Sequence, residues 1–131
     1  MRGDNTAKAV PLEALEREIR RPIDMAHLSR QTMGDTGLEQ EVLRLFDEMT
    51  HVYYKRLEVS TTVDELLRNL HTLKGAAAGV GAFALAELAR VAEAELRAGG
   101  PVNPERIDDL ALAVQEVSSF IGDRLEHADA A

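Results

Sequence analysis

The sequence has no cysteine and no tryptophan, and it contains only four prolines. Without cysteine there is no disulfide framework, no thiolate metal site and no cysteine nucleophile. This composition fits a reducing compartment, so we expect a cytoplasmic protein. The chain also lacks an apolar stretch near Met1 and any uninterrupted run of about eighteen apolar residues. We therefore expect it neither to be exported nor to span a membrane.

Positive charge is scarce as well. The chain has 15 Lys and Arg residues against 23 Asp and Glu residues, which leaves a net charge of −8. A surface of this sign repels a phosphate backbone, and the sequence contains no basic patch with interleaved aromatic residues. We therefore expect no nucleic-acid partner.

Residues of high helix propensity fill the segments between a few glycine and proline breakers. The sequence therefore predicts an all-α protein, an antiparallel up-down-up-down four-helix bundle with an additional short N-terminal helix. We divide the chain into an N-terminal extension at residues 1–21, with its short helix at Pro11–Arg20, the bundle at residues 22–126, and a frayed C-terminal tail at residues 127–131. Such a bundle closes its own core, so we expect a monomer.

Capping signals and apolar stripes mark the long helices. Thr36 with Glu39, and Thr62 with Glu65, predict capping boxes, and Gly81 predicts a sharp reversal of the chain. Apolar residues spaced by three and four predict the inward faces. The residues expected in the core are Leu38, Val42, Leu45, Met49 and Val52, with Phe46 and Tyr53 widening this stripe, then Leu66, Leu70, Leu73, Ala77 and Val80, then Phe83, Leu85, Leu88, Ala92 and Leu96, and finally Ile107, Leu110, Val114, Val117 and Ile121.

The helix after Thr62 carries the most informative pattern. Because Leu70 is expected in the core, His71 is rotated by about 100° away from it, toward the surface. Lys74, Gly75 and Ala78 continue the row of His71 along the helix. An imidazole and an ammonium thus stand beside positions with almost no side chain, which leaves a hollow for a large partner. Phosphoryl transfer needs a nucleophile, a nearby cation and room for in-line attack, and this row offers all three.

The reversal at Gly81 and Ala82 indicates a partner for the ring. A residue eleven positions before Ala82 lies level with a residue eleven positions after it, so His71 should face Glu93. A carboxylate there accepts the Nδ1 proton, which orients the imidazole and leaves Nε2 free to attack. Arg90, one turn before Glu93, is a further candidate for contact.

The stretch from His71 to Ala82 resembles the signature of histidine-containing phosphotransfer (Hpt) domains of bacterial two-component phosphorelays. In that signature the phosphoacceptor histidine is followed by an apolar residue, then Lys-Gly, small residues and an apolar-Gly pair before the hairpin. The resemblance extends to Ile23-Asp24 and to the helix that contains Phe46, and it covers roughly residues 22–122.

This resemblance implies a phosphocarrier without an ATP site of its own, and therefore not an enzyme. His71 is then the phosphoacceptor, Lys74 stabilises charge, Glu93 orients the imidazole, and Gly75 with Ala78 forms the gap where a receiver docks. The implied partners are response-regulator receiver domains and a sensor histidine kinase, including hybrid kinases. The protein itself is expected to hold no cofactor, and Mg²⁺ would come with the receiver. The expected function is transfer of a phosphoryl group from a phospho-aspartyl receiver or a kinase to a response-regulator aspartate.

Two other functions remain open at this stage. A non-catalytic helical adaptor that binds or sequesters a receiver or a kinase would share the bundle, and replacement of His71 distinguishes it from a carrier. An autonomous kinase or metal enzyme is disfavoured, because the glycines between residues 76 and 82 lack the Gly-Lys-Ser/Thr ending of a phosphate-binding loop. His27, His51 and His127 lack comparable surroundings, and we interpret them as structural or solvent-facing.

Overall fold

The computed structural model describes Leu12 and residues 21–130. Over this part of the chain it contains no strand and five helices, which are α1 (Met25–Gln31), α2 (Thr36–Val59), α3 (Val63–Val80), α4 (Phe83–Arg97) and α5 (Pro104–Ala130). The four long helices form a ring, in which α2 contacts α3, α3 contacts α4, α4 contacts α5, and α5 contacts α2. Short connections make consecutive helices antiparallel, so the predicted four-helix bundle is confirmed. The short helix predicted at Pro11–Arg20 lies, apart from Leu12, outside the described residues.

The core consists of apolar side chains that the helices turn toward the bundle axis. Its buried members are Ile23, Leu28, Leu43, Phe46, Leu57, Leu66, Leu70, Leu73, Ala77, Ala82, Leu85, Ala86, Ala89, Ala92, Leu96, Leu110, Val114, Val117 and Ile121. Full burial of one such leucine contributes roughly 1.5–3 kcal/mol, so this cluster is the main force that holds the helices together. In the part of the chain that the structure describes, no helix is long and apolar enough to cross a bilayer.

The start of α2 differs from the prediction, whereas the start of α3 agrees with it. Thr36 is the first helical residue rather than the cap, and the side chain of Asp35 accepts a hydrogen bond from the Leu38 amide at 3.0 Å. A carboxylate suits this position because it also faces the positive end of the helix dipole. At α3 the Thr62 hydroxyl accepts a hydrogen bond from the Glu65 amide at 3.1 Å, as predicted.

The inward face of α2 agrees with the prediction only in part, because Phe46 is buried and Val42 and Met49 touch the core. Leu38, Leu45 and Val52 are exposed, and so is Phe83 at the start of α4. The buried face of α2 consists of Leu43, Phe46, Thr50 and Leu57. Both stripes have spacings that a helix can turn inward. Packing against α3 and α5 selects the stripe that carries the large Phe46 side chain, and spacing alone does not show this choice.

The α3–α4 hairpin turns at Gly81, which ends α3 with a φ of +95°. A side chain at this position would bring Cβ to 2.9 Å from the backbone oxygen of Asp24. The close approach lets the Asp24 amide donate a hydrogen bond to the Gly81 carbonyl at 2.9 Å, which ties the start of α1 to the hairpin. Gly81 thus holds the hairpin in place, and the hairpin decides which residues of α3 and α4 lie at the same level.

The last helix, α5, extends to Ala130, past residue 126 where we expected the bundle to end. Fraying of residues 127–131 stays a prediction. Near this end, Nδ1 of His127 lies 2.7 Å from the carbonyl oxygen of Asp123.

Candidate functional site

His71 lies near the middle of α3, on the flank that faces α4. Its neighbour Leu70 is buried in the core, whereas the side chain of His71 is 64% exposed. Nδ1 lies 3.1 Å from Oε2 of Glu93 on α4, across 22 positions of sequence. Because Nδ1 points to this carboxylate, Nε2 on the other side of the ring faces solvent. The structure thus brings together His71 and Glu93, which were predicted to face each other by counting from the reversal at Gly81 and Ala82.

Glu93 is 4% exposed, and its carboxylate accepts hydrogen bonds from three side chains. Besides His71, the half-buried Lys74 donates to Oε1 at 2.7 Å. Arg97, one turn further along α4, donates to Oε2 at 2.9 and 3.3 Å. A buried carboxylate is tolerated where cations and hydrogen-bond donors surround it in this way.

The charge on Glu93 decides where the proton on His71 sits. Burial raises the pKa of Glu93, but the hydrogen bonds from Lys74, Arg97 and His71 together outweigh burial and lower that pKa from 4.5 to about 2. Glu93 is therefore ionised at neutral pH. An ionised carboxylate can only accept hydrogen bonds, so the proton in this contact belongs to Nδ1. In the neutral ring Nε2 then carries the lone pair that a nucleophile needs.

The row beyond His71 combines a cation with open space. Gly75 and Ala78 are exposed, and a Cβ added to Gly75 would meet no atom within 4 Å. Lys74 belongs to the same row, but it is paired with Glu93 rather than turned to solvent. Chemically, the arrangement offers an accessible imidazole nitrogen, a neighbouring ammonium group and room for the surface of another protein.

The sequence profile of the Hpt domain matches residues 35–120, which is more than half of the chain and runs from the start of α2 into α5. The chain belongs to the Hpt domain family. Hpt domains take part in phosphotransfer in two-component signalling, act as phosphocarriers without an ATP site of their own, and interact with receiver domains and kinases. Comparison with curated proteins gave no match, and comparison with solved structures gave none either.

In this Hpt domain Arg97, rather than Arg90, joins the carboxylate of Glu93. Arg90 instead donates to Glu87, three residues before it on α4. Spacings of three and four residues along a helix both place a cation beside a carboxylate, so the sequence offered the same signal for each arginine. The sequence indicated Arg90 and gave no sign of Arg97, because only the packing of α4 against α3 decides between the two arginines.

The other three histidines of the chain make structural contacts. Nε2 of His27 lies 3.1 Å from the carbonyl oxygen of Gly79, and Nε2 of His51 lies 3.1 Å from the hydroxyl of Ser118. His127 contacts the backbone of its own helix. Within the described ranges, no three His, Cys, Asp or Glu side chains are placed to hold a metal ion. These contacts agree with the interpretation of the three histidines as structural or solvent-facing.

Proposed function

We propose that this Hpt protein is a phosphorelay intermediate. In this proposal Nε2 of His71 accepts a phosphoryl group from a phospho-aspartyl receiver domain or from a kinase, and passes it to an aspartate of a response regulator. The observation that carries the proposal is the hydrogen bond between Nδ1 of the exposed His71 and the buried carboxylate of Glu93. This contact orients the ring and keeps the lone pair of Nε2 available at the surface.

The proposed transfer forms one bond and breaks another. The lone pair of Nε2 attacks phosphorus in line, while the bond between phosphorus and the aspartyl oxygen breaks. The aspartate leaves as a carboxylate with the bonding electrons. Because the Nδ1 proton stays in place, positive charge develops on the ring as the nitrogen–phosphorus bond forms. The carboxylate of Glu93, 3.1 Å from Nδ1 of His71, stabilises that charge without a proton transfer.

Lys74 supplies the cation for the phosphoryl oxygens in this proposal. Its Nζ donates to Glu93 at 2.7 Å, and its position one turn along α3 from His71 lets its flexible stem turn toward a phosphoryl group on the ring. Arg97 also contacts Glu93, so the buried carboxylate keeps a cationic partner when Lys74 moves away. During transfer, Lys74 thus moves from the carboxylate of Glu93 to the oxygens of the phosphoryl group.

The proposal assigns the divalent cation and the partner proteins by family resemblance. Mg²⁺ comes with the receiver domain, and the Hpt protein holds no cofactor of its own. The partners are response-regulator receiver domains and a sensor histidine kinase, including hybrid kinases. A cytoplasmic location stays a prediction from the sequence.

The test is phosphoryl transfer from a phosphorylated receiver domain in the presence of Mg²⁺. We expect acid-labile, base-stable phosphate on the wild type and on the matched control His51→Gln, which replaces an exposed histidine of α2. We expect none on His71→Gln, and circular dichroism should show equal helicity for all three proteins. Label on His71→Gln would overturn the acceptor assignment. Receiver binding without label on any of the proteins would instead favour the adaptor function.

A further inference from the structure

The outer face of α2 carries a regular apolar stripe. Leu38, Leu45, Val52 and Val59 are 45%, 57%, 47% and 65% exposed, and consecutive members are seven residues apart. Seven residues make almost two helical turns, so these side chains form one line along about 32 Å of helix. The other large exposed apolar residues in the described part of the chain form no comparable line along one helix, and they are Leu12, Met33, Val63, Phe83, Val102 and Leu112.

Two half-buried residues complete this stripe. Val42 and Met49 touch the core on one side, and along the helix they lie between the exposed members. Apolar residues therefore alternate at spacings of four and three from Leu38 to Val52, which is the heptad pattern by which two helices pack together. We define the α2 seam as Leu38, Val42, Leu45, Met49, Val52 and Val59. Part of the stripe that was expected in the core thus faces outward, at Leu38, Leu45 and Val52.

We propose that the α2 seam is covered by the α2 seam of a second copy of this chain, running antiparallel. In that alignment Val42 lies across from Val52 of the partner subunit, and Leu45 lies across from Met49 of the partner subunit. Two-fold symmetry repeats both pairs, which makes four consecutive apolar layers. The four central residues of the seam, from Val42 to Val52, are therefore complementary to themselves, as the interface of a symmetric dimer must be. Leu38 and Val59 lie outside these four layers, across from Arg56 of the partner subunit and Asp35 of the partner subunit.

The charges beside the seam favour the antiparallel arrangement. Glu41 is exposed, with a long contact of 3.8 Å to Arg44, and Lys55 is exposed on the same side of the seam. The antiparallel alignment brings Glu41 next to Lys55 of the partner subunit, twice in each dimer. A parallel alignment would instead direct Glu41 to Phe46 of the partner subunit, which is buried in its own bundle. Near the two-fold axis, Glu48 faces Glu48 of the partner subunit, and the repulsion between the two carboxylates limits the affinity of the dimer.

The proposed dimer leaves the phosphotransfer site open. Asn69 lies on the α2 side of α3, where its side chain donates to the Ser60 hydroxyl at 3.3 Å. His71, two residues later, contacts Glu93 on the α4 side. The seam and His71 therefore occupy different flanks of the bundle, and one dimer presents two accessible imidazoles. The inference goes beyond the proposed relay and does not depend on it, and it departs from the monomer expected from the sequence.

The first test is the mass of the full chain by light scattering and sedimentation up to about 100 µM. We expect a dimer for the wild type and a monomer for Leu45→Glu, because that change places a carboxylate in two of the four layers and weakens association at least about 100-fold. Leu112→Glu is the matched control, since Leu112 is equally exposed on α5, and it should remain dimeric. Leu45→Glu should keep wild-type helicity and wild-type phosphotransfer.

A charge exchange tests the direction of the helices. Glu41→Lys and Lys55→Glu should each weaken the dimer about five- to thirty-fold, because each change creates two like-charged pairs. The double variant restores opposite charges only in the antiparallel register, so it should recover wild-type affinity.

Each contrary outcome overturns the proposal. A wild type that is monomeric at about 100 µM excludes a functional dimer, and a dimer that survives Leu45→Glu excludes the seam as its interface. Failure of the double charge variant to recover affinity excludes the antiparallel register. A monomeric wild type whose receiver binding is lost in Leu45→Glu would show that the seam binds receivers instead.

Discussion

The 3.1 Å contact between Nδ1 of His71 and Oε2 of Glu93 joins an exposed ring to a buried carboxylate. His71 belongs to α3 and Glu93 to α4, so the contact exists only when the hairpin has closed in this register. The same carboxylate binds Lys74 and Arg97. One side chain therefore orients the ring and adds ion pairs to the apolar packing between α3 and α4.

Glu93 should make the free energy of unfolding depend on pH in acid. Its pKa is about 2 in the folded chain and 4.5 in ordinary surroundings, so the unfolded chain takes up this proton first as the pH falls. The contribution is fully present above the unfolded pKa and is lost between pH 4.5 and about 2. Urea unfolding should show the stability advantage of the wild type over Glu93→Gln shrinking by about 2–3 kcal/mol across this range.

The control for this measurement is Glu116→Gln, which changes an exposed glutamate of α5. Its unfolding free energy should follow the pH dependence of the wild type. Parallel pH curves for the wild type and Glu93→Gln would show that Glu93 is not the group that titrates.

Lys74→Ala should slow phosphotransfer about 10- to 100-fold, which corresponds to roughly 1.4–2.7 kcal/mol of lost transition-state stabilisation. The reason is that Lys74, one turn beyond His71 on α3, brings a positive charge to the phosphoryl oxygens. Rapid-quench measurement of transfer from a phosphorylated receiver gives the rate. Lys74→Arg should retain most of the rate and Lys55→Ala all of it, whereas equal rates for Lys74→Ala and the wild type would remove Lys74 from the mechanism.

Substitutions of Gly75 should separate the stability of the fold from the binding of a receiver. Gly75→Ala should raise the unfolding free energy by about 0.5–1 kcal/mol, because alanine favours a helix and its Cβ meets no atom within 4 Å. Gly75→Phe should keep the helical circular dichroism signal but block receiver binding, measured by titration calorimetry. Gly122→Ala on α5 is the matched control, with the same open space and no effect on transfer. Normal receiver affinity in Gly75→Phe would refute the hollow as a docking position.

Gly81→Ala should destabilise the fold more than Gly99→Ala. Both glycines have positive φ, at +95° and +86°, so both substitutions strain the backbone by about 1–2 kcal/mol. Only at Gly81 does the added Cβ also lie 2.9 Å from the backbone oxygen of Asp24, whereas at Gly99 it meets no atom within 4 Å. Chemical denaturation of both variants measures the difference in the free energy of unfolding. Equal losses of stability would mean that the close approach of α1 to the hairpin does not require a glycine at position 81.

Arg97→Ala should reduce the phosphotransfer rate about two- to tenfold, because Glu93 then has no second cation when Lys74 turns to the phosphoryl group. Arg90→Ala removes an arginine of the same helix that pairs with Glu87, and its rate should equal that of the wild type. Transfer kinetics of the two variants side by side test the assignment. Equal rates in the two variants would mean that Arg97 has no role in phosphotransfer.

Much of the site follows from local spacing. The row formed by His71, Lys74 and Gly75 depends only on the turn of one helix, and the pairing with Glu93 depends only on counting from the hairpin at Gly81. Helix geometry and a short reversal transmit these relationships without help from the rest of the fold. They were therefore predictable before any tertiary contact was known.

Other features were choices between equivalent local patterns. Asp35 and Thr36 are both suitable caps, and Arg90 and Arg97 are both spaced to meet Glu93. Two apolar stripes compete for the inward face of α2. In each case the sequence contains both alternatives, and contacts with neighbouring elements select one of them.

The sequence by itself determined where the long helices run, where the chain reverses, and which residues share the row of His71, because these depend on interactions within a few positions of the chain. Only the tertiary structure decided which stripe of α2 is buried, which arginine reaches Glu93, and that Lys74 forms an ion pair with Glu93. The physical reason is that these features depend on the rotation of each helix about its own axis, which is set by close packing of side chains from different helices.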